Sequence, residues 1–321
     1  MKNKVIKVFI GENSGFCFGV KRAVDKIVEL TDKKEKVYSL GYVIHNPQAI
    51  EKIKQKGAEI IENPEDILKL SDPNSKSKNG IAPIDGKVVI RTHGVKKEIT
   101  ETLKKNKVDF FDATCPFVTR SQRIVEKLSD QGYGIVIFGN PEHPEIVGVV
   151  SYAKTKNVFV VQKPEDVDLI PPMKKIAVVS QTTQKLDDYI EIVKKLIEKG
   201  FEIRVFNTVC EVTVDAQKEA YEIAKMSDVV IVIGGKMSSN TDKLYKVCKN
   251  ITSAYKIETA DEIDPKWIEG KKNIGIVAGT STPDWIIKDT IKKIEEITGE
   301  KVKIQKVGKK NKFSAESFEW E

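Results

Sequence analysis

The shortages in the 321-residue chain narrow its reading before any motif does. Of its 54 basic residues only Arg22, Arg91, Arg120, Arg123 and Arg204 are arginines, so the net charge of +7 is carried by lysine. The lysines alternate with Glu and Asp along runs such as DDYIEIVKKLIEKG, which is how a solvated helix face reads. A nucleic-acid partner is therefore not expected, and a mild positive field suits a small anion better. No tract reaches the ~18 apolar residues of a membrane span, and MKNKVIKVFIGENSGFC has no signal-peptide pattern, so a cytoplasmic protein with no membrane partner is expected. None of the four cysteines stands in C-x-x-C spacing, which removes local zinc-finger and ferredoxin patterns. In a reducing compartment they read as metal ligands or inert core residues rather than disulfides.

What is present is a soluble globular composition, 40% hydrophobic and 31% charged, long enough for two or three domains. The cysteines supply a ruler for internal repeats. Cys17, Cys115 and Cys210 are spaced 98 and 95 residues apart, and each follows an extended run and opens an amphipathic helix pattern: VFIGENSGFCFGVKRAVDKIV, FFDATCPFVTRSQRIVEKL and IRVFNTVCEVTVDAQKEAYEIA. A strand-to-helix turn offers unpaired amides and the positive end of a helix dipole, both of which favour a thiolate. A second polar loop follows each cysteine by 28 residues, at His45, His143 and Ser238. A third loop follows in turn, carrying His93, then Gln181, Thr182 and Thr183, then Ser281.

Continuous apolar runs such as VVIVIGG and IAVVS suit strands buried on both faces and alternate with helix patterns. The expected fold is α/β: three similar small parallel lobes in a pseudo-threefold, trefoil arrangement around a central cluster site. The boundaries fall at 1–114, 115–208 and 209–304, with the N-terminal strand free to join the third lobe and a polar tail at 305–321. The Ser/Asn/Pro-rich SDPNSKSKNGIAPIDG reads as a surface loop of the first lobe. Ligands of open α/β sheets sit at the carboxyl ends of the strands, where all nine loops fall.

Three thiolates select an iron-sulfur cluster, zinc or Cu(I), and on a cubane cluster they leave one iron without a protein ligand. Cys248, in LYKVCKN, has no counterpart elsewhere and reads as a core residue. The chain's three histidines, His45, His93 and His143, all lie in the predicted loops. With Ser238, Ser239, Asn240 and Ser281 they make a donor-rich pocket suited to phosphate or diphosphate. Glu145, in the proline-stiffened PEHPE, is a candidate proton donor because burial raises a carboxyl pKa; Glu142 reads as a surface acid.

The segments GFCFGVKRAV, VIHNPQ, RTHGV, DATCPFV, GNPEHPEIVGV, SQTT, NTVC, SSNT and AGTSTPDWII closely resemble the 4-hydroxy-3-methylbut-2-enyl diphosphate reductase family of the deoxyxylulose phosphate route to isoprenoids. The resemblance implies an iron-sulfur oxidoreductase with one oxygen-sensitive 4Fe-4S cluster on Cys17, Cys115 and Cys210 and an open fourth iron. It implies substrate contacts from His45, His93, His143, Thr182, Thr183, Ser238, Ser239, Asn240 and Ser281, and proton transfer by Glu145 with Thr182 and His143. Two electrons, delivered by ferredoxin or flavodoxin, and two protons would give isopentenyl or dimethylallyl diphosphate and water. The chain departs from the family's Cys-x-Ala-Thr-x-x-Arg-Gln after the third cysteine, where Val212 and Ala216 replace Ala and Arg. A cluster enzyme of the quinolinate synthase type would need no diphosphate clamp, an electron-transfer protein would not need Glu145 and Thr182, and a zinc hydrolase would hold no iron.

Overall fold

A computed structural model of the chain describes residues 5–67 and 86–309. All of SDPNSKSKNGIAPIDG except Gly86, and the tail from residue 310 onward, lie outside the described residues. Thirteen strands are described, forming three sheets in which every paired neighbour is parallel. They are β1 (Ile6–Gly11), β2 (Val37–Leu40), β3 (Ala58–Ile61), β4 (Lys87–Ile90), β5 (Phe110–Asp112), β6 (Gly134–Phe138), β7 (Val158–Val161), β8 (Met173–Ser180), β9 (Gly200–Val205), β10 (Val229–Ile233), β11 (Ser253–Ile257), β12 (Asn273–Ala278) and β13 (Val302–Val307).

The sheet orders are β3-β2-β4-β5, β7-β6-β8-β9 and β11-β10-β12-β1-β13. In each, the first strand of the repeat lies between the second and the third, and the strand that leads into a cysteine is added beside the third. In the last sheet that strand is β1, from the beginning of the chain. β13 then pairs with β1 over six residues, which carries the sheet into the stretch expected to be tail.

Burial explains why these segments are strands. GIVIF in β6 and VVIVI in β10 are buried at every position, because helices cover both faces of their sheets. Each such apolar side chain contributes roughly 1.5–3 kcal/mol on removal from water. An acid at Ile231, 0% exposed, would place an unpaired charge in that core. The covering helices are one-sided. Helix Pro116–Asp130 starts with Pro at its first turn, where no amide is missed, and buries Phe117, Val118, Val125 and Leu128.

The chain divides into two compact units. One comprises residues 5–20, 45–49 and 211–309 and contains the five-stranded sheet. The other comprises 21–44, 50–67 and 86–210 and contains both four-stranded sheets. Within the second unit the two sheets' layers are joined by polar contacts: Lys97 N donates to Ser151 Oγ at 2.9 Å and Lys97 Nζ pairs with Glu126 at 2.7 Å.

Candidate active site

The three cysteines share one local construction. Each stands at the start of a helix, Phe18–Asp32, Pro116–Asp130 or Glu211–Met226. Each backbone amide donates to a carbonyl in a third loop: Cys17 N to Thr280 O at 3.0 Å, Cys115 N to Thr92 O at 2.9 Å and Cys210 N to Thr182 O at 2.9 Å. None of the three is in a disulfide, and all are of intermediate exposure. At Cys17 burial pushes the thiol pKa up, while the amides of Val20 and Gly19, directed at the sulfur by the helix start, pull it down. Cys248 is different: it is 0% exposed, its Sγ lies 3.7 Å from Ala220 O, and burial pushes it up to about 12. It is an inert part of the core.

In the unit of residues 21–44, 50–67 and 86–210 the acid predicted from PEHPE is held in place. Glu145 is 1% exposed; its Oε1 accepts from Thr182 N at 2.7 Å and its Oε2 from Thr182 Oγ1 at 2.6 Å. Burial raises its carboxyl to about 7, against the two hydrogen bonds from Thr182. Glu145 N also donates to His143 Nδ1 at 3.2 Å, with His143 capping helix Pro144–Val150. Acceptance at Nδ1 puts the neutral ring's proton on Nε2. The His143 ring meets that of His93 edge to face, centroids 5.4 Å apart at 80°. Thr183 Oγ1 accepts from Gln181 Nε2 at 3.0 Å, and Gln181 Oε1 accepts from Asn140 N at 3.0 Å. Thr182 thus binds the acid through its amide and hydroxyl and Cys210 through its carbonyl.

In the other unit Ser238 caps helix Ser239–Lys249, its Oγ accepting from Thr241 N at 3.3 Å. Ser239 and Asn240 follow in the first turn, where amide groups face an anion. Asn240 is 4% exposed, and among the described residues neither its Oδ1 nor its Nδ2 has a hydrogen-bond partner. A buried amide with both ends unmatched is costly unless a ligand meets it. Ser281, 8% exposed, lies in the loop after β12.

His45–Ala49 belong to this same unit, not to the unit of the strand β2 that precedes them, which the chain rejoins at Ile50. The reason is close packing on a glycine: a Cβ added to Gly235 would stand 2.1 Å from His45 O. Gln48 Nε2 donates to Glu258 O at 3.1 Å, and Asn46, 0% exposed, caps the helix Pro47–Gln55 by accepting from Ala49 N at 2.9 Å.

Sequence reasoning missed the residues that hold others in place: Thr92 and Thr280, whose carbonyls bind cysteine amides, together with Asn46 and Gln181. A threonine recurs in each third loop, in RTHG, SQTT and GTST, and that recurrence was the available signal. Val212 and Ala216, the departures from the family pattern, are both buried, and Ala216 packs with Phe9, Ala220 and Ile223. Ala216 also lines a small hollow with Gly11, Asn13, Ser14 and Glu219.

A family model described as LytB protein matches residues 8–295. Among curated proteins the chain is 44% identical over 284 residues to the 4-hydroxy-3-methylbut-2-enyl diphosphate reductase of Nautilia profundicola, covering 88% of this chain and 96% of that one. It is 46% identical over 294 residues to the enzyme of the same name from Sulfurovum sp., covering 91% and 100%. Among solved structures it resembles the E-1-hydroxy-2-methyl-but-2-enyl-4-diphosphate reductase from Plasmodium falciparum, at 25% identity with a TM-score of 0.81, over 97% of this chain and 95% of that one. It also resembles an (E)-4-hydroxy-3-methyl-but-2-enyl diphosphate reductase, the terminal enzyme of the non-mevalonate pathway, at 36% identity with a TM-score of 0.65, over 91% and 100%. With relatives above 40% identity matched along almost their whole length, the chain belongs to the LytB family.

Proposed function

We propose that the chain catalyses the reductive dehydroxylation of (E)-4-hydroxy-3-methylbut-2-enyl diphosphate to isopentenyl and dimethylallyl diphosphate. Family membership supports the reaction. The observation that carries the chemistry is Glu145, buried, raised to about 7 and bound at both oxygens by a residue that also holds Cys210. A protonated carboxyl at neutral pH is what loss of a hydroxyl requires.

Cys17, Cys115 and Cys210 would hold the 4Fe-4S cluster; cysteines outside any disulfide, at helix starts and each with its amide tied down, fit that donor set. When bound, the cluster supplies single-electron transfer and a Lewis-acidic iron without a protein ligand. His45, His93 and His143 donate to the diphosphate together with Ser238, Ser239, Asn240 and Ser281; Thr183 completes the set. Asn240 turns its unmatched Nδ2 to a phosphate oxygen, and the start of helix Ser239–Lys249 adds amide donors. With Glu145 protonated at Oε2 the bond to Thr182 Oγ1 runs the other way, Oε2–H donating to Oγ1 and the Thr182 hydroxyl donating to the leaving hydroxyl, while His143 holds the Glu145 backbone in register.

The reaction balances when the allylic C–O bond breaks, two electrons enter, one proton leaves with the hydroxyl as water and one joins carbon. Protonation at one end of the allylic fragment gives isopentenyl diphosphate and at the other dimethylallyl diphosphate. A ferredoxin or flavodoxin delivers the electrons one at a time. No helix among the described residues is long and apolar enough to cross a membrane, and the cytoplasm is the compartment in which such thiols stay reduced.

Anaerobic purification tests the reading. The protein is expected to carry about four iron and four sulfide per chain and to convert the hydroxylated diphosphate with reduced methyl viologen. Zinc in place of iron, or a full cluster with no turnover, would overturn it.

A further inference from the structure

The loops that lead into the three cysteines are braced in two different ways. Three residues before Cys115 and Cys210 stand Asp112 and Asn207, and each side-chain oxygen accepts from the amide two residues on, Thr114 N at 2.9 Å and Val209 N at 3.3 Å. Such turns hold the approach to the cysteine from within the loop, and before Cys210 Thr208 Oγ1 adds bonds to β8, accepting from Ser180 N at 2.7 Å and donating to Ser180 O at 2.8 Å. Three residues before Cys17 stands Ser14, and there the brace comes from distant chain. Asn13 N donates to Glu219 Oε2 at 3.1 Å; Asn13 Nδ2 donates to Glu219 Oε1 at 2.7 Å and to Lys309 O at 2.9 Å. Glu12 N donates to Val307 O at 2.9 Å, so the end of β13 lies alongside the same loop.

Glu219 is fitted closely into this place. It is 7% exposed on the helix Glu211–Met226. A Cβ on Gly11 would stand 2.5 Å from its Oε2 and one on Gly308, at φ +97, 2.1 Å from its Oε1. Only glycine at both positions leaves room for the carboxylate between the loop and the end of β13. Both Nδ2 hydrogens of Asn13 are used, one on each partner, so the side chain joins helix and C-terminal strand at a single point. A buried carboxylate is expensive to maintain, and the two Asn13 donors offset that cost while fixing the loop's path.

We infer that Glu219, acting through Asn13 together with the end of β13, is a positioning residue for Cys17, so that the C-terminal strand takes part in building one cluster ligand of the three. The inference deepens the proposed function and rests on Cys17 being a ligand. Cysteine labelling of the metal-free full-length chain tests the brace without that premise. Loss of a charge-assisted pair opens the loop, and Glu219→Ala is expected to raise the alkylation rate of Cys17 about tenfold, read by mass spectrometry, with Cys115 and Cys210 as internal controls that stay unchanged. Asn13→Asp sets two carboxylates against each other and is expected to do the same. Asn13→Asp with Glu219→Gln restores the link to the helix with its polarity reversed but leaves Lys309 O without its donor, and is expected to bring Cys17 part of the way back to the slow rate. In the loaded protein Glu219→Ala should surrender iron to a chelator faster than the parent. The inference is overturned if all three cysteines accelerate together, if Cys17 does not accelerate, if the double variant is as fast as Asn13→Asp alone, or if iron loss is unchanged. Absence of iron from the parent protein itself would instead count against the proposed function, leaving the labelling to decide the brace.

Discussion

Glu145 combines two demands in one side chain: it must be protonated near neutrality, and it must be held still. Burial meets the first and Thr182 the second. A carboxyl raised to about 7 stays protonated below that pH, so turnover is expected to fall as the pH rises through about 7, measured as the pH profile of kcat. Stability carries the same signature. Below the unfolded value near 4.5 the carboxyl is protonated in both states and its contribution is complete. Above it the unfolded chain releases the proton first, and stability declines until about pH 7, by about 3 kcal/mol. Glu145→Gln keeps both contacts by accepting from Thr182 N and donating to the Thr182 hydroxyl. It is therefore expected to flatten that slope in thermal melts at about pH 5 and pH 8, and to keep iron and bind substrate while turnover falls about a hundredfold or more. Near-normal turnover would remove Glu145 from the mechanism. Thr182→Val separates the two roles of Thr182: the carbonyl that holds Cys210 remains and the relay hydroxyl is lost, so cluster content should persist while turnover falls.

At the scale of elements, the loop before helix Ser239–Lys249 does more than present serines. It accepts the backbone of His45 against Gly235, so two groups assigned to the diphosphate are set by one contact. Gly235→Ala would force apart two stretches of backbone rather than a flexible side chain, at a cost of about 1–3 kcal/mol. The expected outcome is a KM for the diphosphate raised about tenfold with a smaller change in kcat, since a displaced His45 weakens binding before it touches proton transfer. Equal losses in kcat and kcat/KM would place His45 in the chemistry instead. This contact marks a limit of sequence reading. The 28-residue offsets made the second loops legible as equivalent, and continuous apolar runs such as VVIVI made the strands legible, because burial on both faces leaves a composition signal. That the His45 loop leaves the unit of its own strand is not encoded in any period; it follows from a missing Cβ almost 200 residues away. Glu219 was silent for a similar reason: within KEAYEIAKM it reads as one more helix-surface acid, and only the tertiary path of Asn13 and Gly308 makes it a buried partner.

Along the whole chain the repeat is circularly permuted. The strands before Cys115 and Cys210 complete sheets begun earlier in the chain, whereas the strand before Cys17, β1, belongs to the sheet whose other strands come last. The similar spacing of the cysteines, 98 and 95 residues, reported three copies but not this offset between loop and sheet, because the strand before each cysteine looks alike whichever sheet it joins. The consequence is a division of labour among the four thiols that can be measured together. Cys248 lies in the core with its thiol pushed up to about 12, so Cys248→Ala should cost about 1 kcal/mol in thermal unfolding and leave the iron content intact. The other three stand at helix starts with their backbone fixed by carbonyls that a side-chain change does not touch. Cys17→Ser, Cys115→Ser and Cys210→Ser should therefore each leave the metal-free fold as stable as the parent's while abolishing the brown chromophore and the bound iron. If any one of the three serine variants retained a full cluster, that cysteine would be removed from the ligand set; retention in all three would return the thiols to the class of ordinary core residues.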